Sequence, residues 1–145
     1  MAVDISQKQI IVREATAEGE IILEKATLEK ISSKTIEKGD VFELAKAVAI
    51  HSVKQTPNIL IYCHPIPILS VKVKILLTKN SVKLEVYVKT QAQTGCEMEA
   101  LMGVSAGLLQ IWDMVKMYEK TKYGQYPFTA LNNIKVLKKV KHSNI

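Results

Sequence analysis

At 145 residues, 48% of them hydrophobic and 23% charged, the chain is composed like an ordinary folded protein and is long enough for one domain with a real core. No apolar run reaches the roughly 18 residues of a membrane span, and "MAVDISQKQI" lacks a signal-peptide core, so a cytoplasmic protein without a membrane partner is expected. Two cysteines in unrelated contexts, Cys63 and Cys96, give neither a disulfide framework nor a CxxC metal pair, while the formal charge of +6 favours anionic partners.

In chain order, residues 1–9 are polar and read as flexible. "IIVREATAEGEIIL" (10–23) has strand character, and Gly19 near its middle marks a bulge. "TLEKISS" predicts a short helix. "KGDVFELAKAVAIHSVKQT" predicts a longer one, with Asp40 as cap, Glu43 completing the start signal, and Val41, Leu44, Ala45 and Val48 as the apolar stripe. Pro57 is its expected stop. "NILIYCHPIPIL", interrupted by Pro65 and Pro67, reads as an extended connection.

"VKVKILL" and "VKLEVYVKT" alternate with period two across the turn "TKNS", a hairpin. Their valines share one face, and Lys72, Lys74, Lys83 and Lys89 take the other. A long helix over 95–118 follows, with Thr94 expected as N-cap and Glu97 as its capping-box partner. An extended loop region (117–132) then leads to a last strand near 133–140.

The major elements run strand, helix, strand, strand, helix, strand over a single domain, 1–145. That order is the ferredoxin-like βαββαβ plan: an α+β fold with a four-stranded antiparallel sheet and helices on one face. The fold hosts unrelated functions, so function rests on sites. A basic RNA- or metabolite-binding module without catalysis is the alternative reading. An RNA-recognition sheet, however, needs aromatics on its central strands to stack bases, and Tyr87 is the one obvious candidate. No nucleic-acid partner is expected.

Three short places carry chemistry: Cys63-His64-Pro65, Glu97-Met98-Glu99, and Asp113 with Lys116 at i,i+3. No Gly-rich phosphate loop and no zinc spacing occurs. Lysine and aspartate in a cleft suit proton transfer and the departure of a phosphate group. Glu99 and Asp113 are 14 residues apart on one helix, within about 40° of one face but roughly 21 Å apart along the axis. Two short carboxylates of one chain cannot reach one reacting centre across that gap. Either Glu99 serves a distant part of the substrate, or two sites exist, or a neighbouring chain brings its own Glu99 to this chain's Asp113, and the third reading is preferred.

"VDIS", "REATAEG", "KGDVFELAKAVAIHSVKQT", "CHPIPI", "TGCEMEAL" and "WDMVK" stand here in the order and spacing of the molybdenum cofactor biosynthesis protein C (MoaC) family, the cyclic pyranopterin monophosphate synthases. The resemblance runs from about residue 3 to 116 and resumes near Ile134. It implies a lyase that converts 3′,8-cyclo-7,8-dihydro-GTP to cyclic pyranopterin monophosphate and releases pyrophosphate. It also implies a homohexamer built as a trimer of dimers, with active sites at dimer interfaces. No bound redox cofactor is implied and no metal-ligating residues are expected, with magnesium alongside the pyrophosphate left as an open alternative. By motif, Asp113, Lys116 and Lys38 match catalytic positions. Tyr62, Cys63, His64, Met98, Glu99, Lys54 and Arg13 match substrate-binding ones.

The chain departs from the family pattern at Gln55, where arginine is usual, and at Tyr62 and Trp112. It departs again in a longer 117–132 segment and in a tail, "KKVKHSNI", where Lys139 is the candidate for a functional tail lysine.

Overall fold

Period-two alternation gives β3 (Ser81–Ala92), an inner strand of the sheet, one wholly apolar face: Val82, Leu84, Val86 and Val88 are all fully buried on it. In the computed structural model, which describes residues 1–143, β3 is one of seven elements. The others are β1 (Ile11–Ile22), α1 (Lys25–Ser32), α2 (Val41–Ile59), β2 (Ile68–Leu77), α3 (Glu97–Glu119) and β4 (Ala130–Lys141). Asn144 and Ile145, the end of the basic tail, lie outside the described residues.

The sheet order is β2-β3-β1-β4 with every neighbouring pair antiparallel, which is the expected ferredoxin-like arrangement with α1 added before α2. The "TKNS" turn closes the β2–β3 hairpin, with the Thr78 amide donating to Ser81 O at 2.8 Å. β1 pairs evenly with β3, but its register with β4 slips between Glu18 and Glu20, which places the expected bulge at Gly19. A Cβ there would sit 2.9 Å from Val104 Cγ1 and from Ile134 Cγ1, so only glycine lets α3 lie this close to β1.

The helix boundaries correct the expectations. Asp40 does cap α2, accepting the Glu43 amide at 3.0 Å, but the helix continues through Pro57 to Ile59. Proline removes only its own N–H, and the Leu60 amide still reaches Thr56 O at 2.8 Å. The buried stripe of α2 keeps the expected Val41 and Ala45 but not Leu44, which is exposed, nor Val48, which is half-buried. It consists of Val41, Ala45, Ala49, Ser52, Val53 and Thr56. Small residues face Gly103 and Gly107 of α3, where an added Cβ would meet Val53 at 2.9 Å and Leu84 at 2.8 Å.

Those contacts pair Ala45 and Ala49 with Gly107, Val53 with Gly103, and the Ser52 hydroxyl with Met102 O. Rising numbers on α2 meet falling numbers on α3, so the two helices run antiparallel. This direction sets which loops meet at each end of α3.

At the start of α3, Cys96 takes the N-cap position instead of Thr94, and no side chain caps it. The reason is burial. The Cys96 thiol is turned into the core and donates to Val88 O (3.4 Å) and Arg13 O (3.7 Å), which fixes where the helix begins. The long segment after α3 is also shorter than expected, since helix runs to Glu119 and strand resumes at Ala130. Its inner turn is tied by Thr121, whose hydroxyl accepts the Tyr123 and Gln125 amides.

Candidate active site

Antiparallel packing brings the start of α2 to the end of α3, and the loop after α2 to the start of α3. The candidate residues therefore fall into two groups at opposite ends of one helix.

At the C-terminal end, Lys116 Nζ is 2.9 Å from Asp113 Oδ1. Lys38, from the turn between α1 and α2, comes in from the other side. Its Nζ donates to the Asp113 backbone carbonyl at 2.8 Å and lies 3.6 Å from Oδ2. Asp113 is the more open of the three, its side chain 53% exposed against 42% for Lys116 and 36% for Lys38. The Lys116 ammonium, and behind it Lys38, hold the Asp113 carboxyl below its ordinary value, and Asp113 in turn raises Lys116. The cluster is thus a carboxylate held ionised between two cations with a net positive charge, open to solvent. Beside it, Trp112 and Tyr126 meet edge-on with ring centroids 5.2 Å apart, seating the loop after α3 next to Lys116.

At the N-terminal end, a cavity of about 360 Å³ is lined by Tyr62, Cys63 and His64 from the loop after α2, by Gly95, Glu97, Met98 and Glu99, and by residues of the N-terminal segment. Glu99 is 3% exposed. Burial raises its pKa, its own amide lowers it less, and neighbouring Glu97 raises it further. Burial, with Glu99 and Glu97 behind it, also raises the Cys63 thiol. Cys96, deeper still, is pushed up to about 12, chiefly by burial. These thiols stay protonated at neutral pH and act as small apolar donors.

Glu97 is where the sequence reading missed most. Instead of closing a capping box it is the first helical residue, and one of its oxygens is paired with Lys139 Nζ at 3.3 Å. Its other oxygen, Oε2, is buried without a hydrogen-bond partner. Glu97 also borders a second cleft of about 390 Å³, with Lys8, Arg13, Lys139 and Lys141 on its walls. Arg13 is buried there at 6% exposure, its guanidinium holding Ala92 O at 3.0 Å and Gln9 O at 3.2 Å. The available signal was the spacing of Glu97 and Glu99, two like charges at the start of a helix where one cap would suffice. Lys54 stands exposed on α2 and belongs to neither group of contacts.

The two groups offer complementary chemistry. One end can attract and neutralise phosphate oxygens. The other holds a buried carboxyl, its pKa raised, beside a histidine and a thiol, suited to accepting and returning protons. Within one chain the ends stay about 21 Å apart along α3, as the rise of a helix requires for Glu99 and Asp113. Among the described residues no helix is long and apolar enough to cross a membrane.

Comparison with known proteins agrees along nearly the whole chain. The model of the MoaC family matches residues 2–142. A probable cyclic pyranopterin monophosphate synthase of Methanococcoides burtonii is 52% identical over 141 residues, covering 97% of this chain and 89% of that protein. Another, of Sulfurisphaera tokodaii, is 49% identical over 139 residues, with 96% and 92% covered. A probable cyclic pyranopterin monophosphate synthase accessory protein of Methanothermobacter thermautotrophicus is 48% identical over 139 residues, with 96% and 87% covered.

Proposed function

Since the chain belongs to the MoaC family, we propose that it is the cyclic pyranopterin monophosphate synthase of a molybdenum cofactor pathway. The substrate is the cyclised GTP derivative, 3′,8-cyclo-7,8-dihydro-GTP, and the products are cyclic pyranopterin monophosphate and pyrophosphate. The observation that carries this reading is the arrival of Lys38, 75 residues away in sequence, at the Asp113–Lys116 pair of α3, which makes a cation–carboxylate–cation cluster.

In this reading Lys38 and Lys116 neutralise the triphosphate and the charge that develops on the departing pyrophosphate. Asp113, kept ionised by those cations, takes up a proton during ring rearrangement, and Lys116 returns one. Glu99, with Tyr62, Cys63, His64 and Met98, holds the pterin portion, and the raised pKa of Glu99 suits it to donating as well as accepting. Lys54 and Arg13 add positive charge around the phosphates.

A single active site is then made from two chains. An antiparallel two-fold pairing of α3 helices sets the Glu99 end of one protomer beside the Asp113 end of the next, and a homohexamer of three such dimers follows the family pattern. The free cysteines suit a reducing cytosol. The non-catalytic binding-module alternative would have to use the open sheet face, where Tyr87 is already committed to a hydrogen bond with Glu14.

Incubation with 3′,8-cyclo-7,8-dihydro-GTP tests the reading. One pyrophosphate and one cyclic pyranopterin monophosphate should appear per turnover. Binding of the nucleotide without either product would leave a binding module.

A further inference from the structure

Lys38 reaches Asp113 from a turn with few anchors of its own. Residues 33–40 carry left-handed backbone at Lys34 (φ 59°) and at Gly39 (φ 124°), and their local hydrogen bonds run back to α1 or within the turn. Ile36 is buried and plugs the turn into the core. The next amide, that of Glu37, donates to the Tyr118 hydroxyl at 3.0 Å. Among the described residues, no other side chain outside α1 and α2 accepts from the backbone of this turn.

Tyr118 is suited to the task by where it stands. It lies on α3 five residues after Asp113, so hydroxyl and carboxylate are carried by one rigid rod. Its ring packs against the core, and Lys30 Nζ of α1 sits 5.1 Å from the ring centroid. The ring thus has partners that do not depend on the hydroxyl. The hydroxyl's partner is the amide immediately before Lys38.

We propose that Tyr118 is a positioning residue for the reaction: its hydroxyl holds the Glu37 amide and thereby keeps the Lys38 ammonium against Asp113. The inference rests on the roles given above to Lys38 and Asp113. A long lysine stem on an untethered turn samples many positions, and small misplacements of a reacting group cost far more in rate than in stability.

The test is a cycle of Tyr118→Phe, Lys38→Ala and the double variant, read by turnover, by melting, and by carbon-13 NMR titration of the Asp113 carboxyl. Asp113 faces Lys116 on its own helix and Lys38 from the turn, with Tyr126 beyond Lys116, so loss of Lys38 alone should raise its titration point. Tyr118→Phe should melt only slightly below the wild type, as for one hydrogen bond at an exposed turn, lose about 3–10-fold in kcat through the displaced Lys38, and shift Asp113 in the direction that Lys38→Ala does. On the Lys38→Ala background it should change neither. An unshifted Asp113 in Tyr118→Phe, or an equal kcat loss on both backgrounds, would overturn the proposal. A shifted Asp113 with unchanged kcat would overturn the catalytic part alone. The titration needs no substrate, so it still decides the tether if the chain fails to turn over cyclised GTP.

Discussion

At the C-terminal end of α3, Asp113 is more than half exposed and lies between two ammonium groups, which lower its pKa. At the N-terminal end, Glu99 is almost wholly buried beside another carboxylate, and its pKa is raised. The helix dipole alone would favour the opposite order, since negative charge is stabilised near an N-terminus by about 0.3–1 kcal/mol. Desolvation outweighs it. Environment therefore sets the direction in which each carboxylate's pKa moves.

A third carboxylate completes the comparison. Glu119, on the last turn of α3 and only 7% exposed, accepts from the Thr27 and Thr129 hydroxyls and from the Glu24 amide at the start of α1. It caps α1, which has no side-chain cap of its own, and ties the following loop down. A buried carboxylate with this many donors is a structural joint. Glu99, served by its own amide, is a group held ready.

The contrast is most directly tested by Asp113→Asn, which keeps shape and removes charge and basicity. Activity should fall by about 10²–10⁴-fold while the fold survives. Early melting with activity retained would make Asp113 only a partner of its lysines. The pH profile has a definite sign. Because Asp113 titrates below its ordinary 3.8, its contribution to stability is present above that value and lost as pH falls through the folded value. Lys116 titrates above 10.5, so its contribution is present below that value and lost as pH rises through the folded one. The Asn variant should lose the acid-limb dependence.

Whether the two ends serve one site is decided by complementation. Glu99→Ala and Asp113→Ala should each be nearly inactive, yet refolding them together should return roughly a quarter of wild-type activity, since half the dimers are mixed and each has one intact site. Mixed oligomers confirmed by mass without recovery would confine the site to one chain.

Glu119→Gln puts an amide among three donors, and a loss of about 1–3 kcal/mol of stability is expected, read by denaturant melts, with kcat per folded molecule unchanged. Glu99→Gln should do the reverse, removing activity while raising the melting temperature at neutral pH. The raised pKa of Glu99 means that stability declines as pH rises from about 4.5 through its folded value, so the gain should vanish on acidification toward 4.5. A variant that melts earlier at pH 7 than the wild type would contradict that assignment. The smallest effect is expected from salt. If Lys38, Lys54 and Lys116 hold the triphosphate as proposed, added ionic strength should raise KM with little change in kcat, because counter-ions screen exposed charge.

Much of this molecule was legible before its structure. Period-two valines placed β2 and β3, Asp40 with Glu43 placed the start of α2, and Gly19 marked its bulge, because each signal lies within a few residues of chain. The motifs named Asp113, Lys116 and Lys38, and the rise per residue separated Asp113 from Glu99 without any coordinates. Tertiary packing decided what local rules could not. Cys96 took the cap position from Thr94 because its thiol fits the core, and α2 buried alanines instead of Leu44 because two glycines on α3 let the helices close. Lys38 meets Asp113, 75 residues away, only because those helices run antiparallel. Pattern along a chain reports which face a residue takes, whereas the partner it meets there depends on which elements pack together and in which direction.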